Sequence, residues 1–200
     1  MPTYEPRDRF YRKARERGLP SRAAFKIEEL IRRAHVLKAG ARVVDLGCAP
    51  GGWLAILVPL VGTNGKVVGV DLATVRNLPL GAAAIVGDIT DEKVAARAAE
   101  TLGGAADLVT SDLAPKLTGI APRDEARHAQ LVDAALGLAI RVLRPGGAMI
   151  AKLFMGAEFK RTLAKFEREF ESVEVTRVSA TRPGSSELYV IARGFRRGRQ

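Results

Sequence analysis

VVDLGCAPGGW, residues 43–53, decides the fold. An apolar, β-branched run enters a glycine-rich turn, and a helical stretch begins at its far side. This is the first strand, turn and helix of an open α/β sheet, a class that binds ligands beyond the carboxyl ends of its strands. Residue types in the turn separate three ligand classes. A triphosphate loop needs GxxxxGK followed by Ser or Thr; Gly47 and Gly52 have that spacing, but Trp53 and Leu54 occupy the Lys and hydroxyl positions. A dinucleotide fingerprint needs GxGxxG, and its middle position is Ala49, which would obstruct close approach to a pyrophosphate. A ligand without phosphates fits better, and S-adenosylmethionine is one.

Strand candidates recur from Arg42 onward: 42–47, 66–71, 83–88, 107–112, 148–154, 172–178 and 187–193. Helical periodicity fills the intervals near 22–37, 52–61, 91–102, 123–143 and 158–169, the fourth helix stopped by RPGG at 144–147. Alternation of this kind builds a parallel sheet from βαβ units. Asp71, Asp88 and Asp112 each close a strand, so they share the ligand-binding edge. Asp71 stands where an acid can accept hydrogen bonds from both ribose hydroxyls of a nucleoside. Asp88 can accept from an adenine amino group or cap the following helix. Trp53 can line the methionine end of a pocket or anchor its helix in the core. Cys48 reads as a small packed residue, since no histidine lies near it in sequence.

The chain has 200 residues, enough for one domain, with 47% hydrophobic and 27% charged residues. Thirty-two Lys and Arg face 22 Asp and Glu, a net charge of +10, which favours a polyanionic partner, RNA or DNA before a membrane surface. Residues 1–20 interleave Arg7, Arg9, Arg12, Lys13, Arg15 and Arg17 with Tyr4, Phe10 and Tyr11, and form either an RNA-contacting arm or a solvated helix face. One cysteine, no signal peptide and no apolar run of membrane-spanning length lead to the expectation of a cytoplasmic protein without a membrane partner. The two histidines, His35 and His128, lack ligand-spaced neighbours, so no metal is expected.

Seven elements occur in order: SRAAFKIEE at 21–29, DLGCAPGGW at 45–53, GVD at 69–71, GDITD at 87–91, SDLAP at 111–115, RPGGAMIAKLF at 144–154 and SSELYVIA at 185–192. With these the sequence resembles the FtsJ type of RNA 2′-O-ribose methyltransferase. The resemblance implies a Rossmann-like class I methyltransferase fold, with a seven-stranded, mostly parallel sheet, helices on both faces and an antiparallel last strand. Residues 21–200 would form that single domain behind the basic arm. It also implies a Lys–Asp–Lys–Glu tetrad at Lys26, Asp112, Lys152 and Glu187, with Lys152 as proton acceptor. Gly51, Trp53, Asp71, Asp88 and Asp112 would hold the S-adenosylmethionine.

Independently of the resemblance, Lys152 interrupts the apolar strand AMIAKLF, where an unpaired ammonium would be costly to bury. A ribose hydroxyl is a poor nucleophile and must be aligned with the methyl group while its proton is drawn away. A neutral Lys152 could accept that proton; a charged one could orient the hydroxyl while the acids receive it. TRPGSSE at 181–187 departs from the arginine- and serine-rich run usual before the glutamate, and Lys116 and Leu117 follow SDLAP where an asparagine is common. Size and the short basic N-terminus point to a uridine of bacterial large-subunit (23S) ribosomal RNA, free or in the ribosomal subunit, as first expectation. Transfer RNA is second, a noncatalytic RNA-binding or ribosome-assembly factor is the alternative from another class, and a monomer is expected.

Overall fold

The computed structural model describes residues 8–116, 118–182 and 184–198. Seven strands form one sheet: β1 (Arg42–Leu46), β2 (Lys66–Asp71), β3 (Ala82–Val86), β4 (Ala106–Ser111), β5 (Leu143–Phe154), β6 (Phe170–Thr176) and β7 (Glu187–Phe195). Their order is β3-β2-β1-β4-β5-β7-β6, with β7 antiparallel to both neighbours and β1 to β5 mutually parallel. Among the described residues six helices accompany them: α1 (Arg9–Glu16), α2 (Ala24–Ala34), α3 (Leu54–Val61), α4 (Glu92–Leu102), α5 (Ala121–Val142) and α6 (Phe159–Glu169). This is the seven-stranded, mostly parallel sheet that the sequence predicts.

Side chains alternate across the strands and divide the core into two layers. Val44, Leu46, Val109 and Met149 pack with Leu102, Leu136 and Phe166 of α4, α5 and α6. On the opposite face Val43, Leu108, Ile150 and Tyr189 pack with Ile27, Leu30 and Leu57 of α2 and α3. The central strands are buried on both faces, which is why they read as continuous apolar runs. By the same alternation Asp45, Thr110 and Lys152 lie on the α2/α3 face, beside Val43, Leu108 and Ile150.

Several boundaries differ from the sequence reading. RPGG does not stand between helix and strand as a free turn: α5 ends at Val142, Leu143 already pairs with Ala106, and the register shifts before Leu108 pairs with Ala148. The first helix of the periodic region ends at His35 in the left-handed conformation (φ 52°) rather than at residue 37. Within the expected arm, residues 1–7 lie outside the described residues, and Arg9–Glu16 form α1. Asp8 caps this helix by accepting from the Tyr11 N–H at 2.9 Å, and pairs with Arg22. Ala14, Phe25 and Ala180 form a small core there, with the Phe10 ring 5.7 Å from that of Phe25.

Candidate active site

Lys26 lies in the first turn of α2, Asp112 follows β4, Lys152 lies on β5 and Glu187 opens β7. The antiparallel register sets Lys152 opposite Tyr189 and Phe154 opposite Glu187. Sequence positions up to 161 residues apart thereby meet at one sheet edge. Lys152 donates from Nζ to the Asp112 carbonyl at 2.6 Å and lies 3.1 Å from Asp112 Oδ1. Lys26 Nζ donates to Glu187 at 2.8 Å. Side-chain exposures of 7% for Lys152, 19% for Asp112, 12% for Lys26 and 13% for Glu187 leave these pairs little water. In such surroundings each ammonium needs its carboxylate, because the unpaired charge would bear the desolvation cost alone.

Tyr189 joins the two pairs. Its buried hydroxyl lies 3.0 Å from Asp112 Oδ1 and 3.2 Å from Glu187 Oε1, so one O–H serves two carboxylates. Burial, followed by both acids, holds the phenol far above its usual range, which keeps it a donor. The Trp53 ring lies 6.3 Å away, and Lys26 Nζ sits 5.8 Å above the Tyr189 ring. The sequence reading missed this residue. The available signal was period two: Glu187 and Tyr189 must share a strand face. Glu187 also accepts from Thr181 Oγ1 at 3.1 Å, while Ser185 Oγ accepts from its backbone N–H at 3.2 Å. The divergent segment 181–187 therefore fixes the glutamate through hydroxyls.

The glycine-rich turn borders this cluster. Gly47 has φ +78°, and a Cβ there would lie 2.9 Å from Leu113 Cδ2. Gly51 has φ +106° and would crowd Val75 Cγ1 at 3.2 Å. Asp71 grips the turn, accepting from the Ala49 N–H at 2.9 Å through Oδ2 and from the Ala73 N–H at 2.8 Å through Oδ1. Asp88 Oδ1 accepts from Thr90 N–H and Oγ1, which lowers its pKa, the backbone bond contributing most. Asp91, rather than Asp88, caps α4 by accepting from the Lys93 N–H. Trp53 is a buried anchor whose Nε1 donates to the Ala23 carbonyl at 2.9 Å, tying the start of α3 to α2. Cys48 packs beside Gly69, where a Cβ would meet its sulfur at 2.6 Å. Burial, then Asp45 and Asp71, pushes this thiol up to about 12, so it is no nucleophile at neutral pH. His128 is buried with its ring 4.3 Å from Phe154, and burial followed by Lys152 pushes it down to about 4. Among the described residues no group of three or more potential metal ligands occurs.

Asp45 was not singled out from the sequence. It is buried, its Oδ1 accepts from Thr110 Oγ1 at 2.7 Å, and its Oδ2 has no partner among the described residues. Burial pushes its pKa up to about 8; the Thr110 bond opposes the rise, while Asp112 and Asp71 add to it. The folded state therefore holds a proton here that the unfolded chain, with an ordinary Asp, releases near pH 4. Stability from this group is lost as pH rises through that interval until Asp45 itself ionises near pH 8. His128 works oppositely between about pH 4 and 6.5, so pH 6.5–8 isolates Asp45. The Tm of the wild type is expected to fall across that window and that of Asp45→Asn to stay level, as measured by calorimetry; parallel curves would contradict a protonated Asp45.

The donor set suits a cationic, phosphate-free cofactor. Asp71, Asp88 and Asp112 lie at or just after the ends of β2–β4 and no Lys or Arg occurs between residues 43 and 58; the neutral Asp45 adds a buried oxygen, Oδ2, without a partner among the described residues. No helix among the described residues is long and apolar enough to cross a membrane.

Comparison with known proteins agrees with this arrangement. Residues 19–195 match the family model described as FtsJ-like methyltransferase. A protein of Anaeromyxobacter sp. (strain Fw109-5), named ribosomal RNA large subunit methyltransferase E, is 46% identical over 97% of this chain and 71% of its own. The protein of the same name from Syntrophobacter fumaroxidans is 43% identical over 98% of this chain and 99% of its own. A Plasmodium falciparum crystal structure, described as a ribosomal RNA methyltransferase, superposes with a TM-score of 0.79 at 25% identity, covering 90% of this chain and 100% of the other. The fibrillarin/Nop5p complex, at 18% identity over 85% of this chain and 81% of its own, shares the fold with a TM-score of 0.63. By the extent of the family match and the identity to these relatives, the chain is a member of the FtsJ-like methyltransferase family.

Proposed function

We propose that this protein transfers a methyl group from S-adenosylmethionine to a ribose 2′-hydroxyl of RNA, namely a uridine of large-subunit ribosomal RNA. The observation that carries the reading is the pair of ion pairs joined by Tyr189, set at the sheet edge beside the glycine-rich turn. Relatives at 43–46% identity are named as ribosomal RNA large subunit methyltransferases, which favours that RNA.

S-adenosylmethionine, when bound, supplies a methyl group on a sulfonium that departs as a neutral thioether. Gly51 and the other glycines of the turn leave room for its methionine end, with Trp53 holding the turn against α2. Asp71 binds the ribose hydroxyls with lone pairs left over from Ala49 and Ala73, and Asp88 takes the adenine amino group. Asp112 closes the pocket toward the reacting centre. In its neutral form Lys152 keeps two N–H bonds, enough for its two contacts with Asp112, and one lone pair that can accept a proton. Its remaining direction is the place for the substrate hydroxyl. Lys152 draws off the hydroxyl proton, and Asp112 stabilises the ammonium that results. Lys26 and Glu187 hold the ribose in line with the donor methyl group.

Helix α1 extends the RNA face, because Arg9, Arg12, Lys13 and Arg15 are exposed while its apolar side packs on Phe25. Replacing Arg12 and Arg15 by Ala should weaken RNA binding and flatten its dependence on salt; an unchanged slope would leave α1 a structural element only. The substrate assignment is tested with labelled S-adenosylmethionine and two acceptors from a methylation-deficient host, ribosomal subunits and transfer RNA. Label in the large-subunit RNA is expected. Label confined to transfer RNA would reassign the substrate, and cofactor binding without transfer would indicate a noncatalytic RNA-binding protein.

A further inference from the structure

We propose that the groove between the 88–91 turn, the Pro115–Lys116 segment and α5 binds a backbone phosphate of the substrate RNA, beside the nucleotide that is methylated. This rests on the reading of the protein as an RNA methyltransferase. The groove, of about 400 Å³, is lined by Thr90, Pro115, Lys116, Arg127 and Gln130 among others, and no carboxylate lines it. Lys116 is exposed and Arg127 half-buried, and neither has a salt bridge among the described residues. The acid one turn before Arg127 is already engaged: Asp124 accepts from Thr118 N–H at 2.8 Å, Thr118 Oγ1 at 2.7 Å and Gly119 N–H at 3.0 Å. Two cations thus line one groove without a salt bridge among the described residues; Asp124 feels the charge of Arg127, but its oxygens serve the 118–119 turn. Such a pair, flanked by the Gln130 amide, suits a phosphodiester, while the Thr90 hydroxyl has its proton on Asp88 and donates nothing to it.

Position selects the RNA chain as the source of that phosphate. Lys116 lies four residues beyond Asp112, so their Cα atoms are within about 14 Å. Asp112 contacts Lys152, which places the groove within one or two nucleotides of the reacting ribose. The 88–91 turn also closes one side of the cofactor pocket, where the Thr90 hydroxyl is committed to Asp88. The groove lies on the α5 side of that turn, where an RNA strand crossing the sheet edge would reach it. Its two cations would position the strand without contacting a reacting atom.

The test compares wild type with K116Q/R127Q and with the charge-preserving K116R/R127K, using a large-subunit ribosomal RNA fragment. RNA affinity is measured against salt concentration, alongside cofactor affinity and methyl transfer. For K116Q/R127Q the RNA Kd and KM should rise about tenfold and the salt slope should fall by about 0.7–0.9, the contribution of one phosphate contact. Cofactor Kd and kcat at saturating RNA should stay within about twofold of wild type, and K116R/R127K should behave as wild type. An unchanged RNA Kd and slope, or a loss of cofactor affinity in place of RNA affinity, overturns the groove assignment. Wild type that binds RNA with this salt dependence yet transfers no methyl group overturns the functional reading instead, and wild type that binds no RNA overturns both.

Discussion

Lys152→Ala is expected to lower kcat for methyl transfer by about 10²–10⁴-fold, the usual range for a positioned proton acceptor, while the cofactor Kd stays within about tenfold. The residue is buried beside Asp112 and lies near the C-terminal end of the core strand β5, at the sheet edge. Neither water nor a neighbouring side chain can readily take its place. Removing the ammonium leaves the Asp112 carboxylate with the Tyr189 hydroxyl as its remaining side-chain contact, so some loss of stability accompanies the loss of rate. Lys152→Met retains the apolar stem and separates the two effects. It should fold and bind the cofactor yet remain as slow as the alanine variant. Turnover comparable to wild type in either folded variant would remove Lys152 from proton transfer.

Asp71→Asn should act on the cofactor and spare the chemical step. Both carboxylate oxygens already accept backbone N–H groups from the turns on either side of the pocket. An amide can accept through only one of its two terminal atoms, so its NH₂ must oppose either Ala49 or Ala73. The variant also loses a charged acceptor for the ribose hydroxyls, a hydrogen-bond class worth about 1.5–3 kcal/mol each. Cofactor Kd is expected to rise about 10–100-fold in titration calorimetry, with kcat at saturating cofactor within about threefold of wild type. A normal Kd combined with a reduced kcat would contradict a cofactor role for Asp71.

The sheet and its functional edge could be read from the sequence because central parallel strands must be apolar throughout, so an acid closing a strand or a lysine inside one stands out. Lys152 was visible for that reason, and its partner Asp112 lies at the end of the neighbouring strand. Tyr189 was hidden because an aromatic residue in ELYVIAR is ordinary strand composition; only the register opposite Lys152 exposes its hydroxyl as the bridge. Asp45 was hidden differently, as one acid in a motif full of small residues, and its significance comes from burial beside Thr110. In α1 the abundance of arginine masked Phe10 and Ala14, whose packing depends on Phe25 and on Ala180, far away in sequence. The sequence offered Asp88 as the cap of a helix beginning at residue 91, whereas the backbone geometry makes Asp91 itself the cap. The 144–147 segment read as a turn because Pro and Gly usually break pairing, whereas here a register shift absorbs them.

The claim of ribose methylation is tested most directly by digesting RNA labelled by the wild-type enzyme to nucleosides and locating the methyl group by mass spectrometry. The account predicts a uridine methylated on its ribose 2′-oxygen, with at most a trace of that product from Lys152→Ala in the same reaction time. A methyl group on a base, or full product from the Lys152 variant, would contradict it.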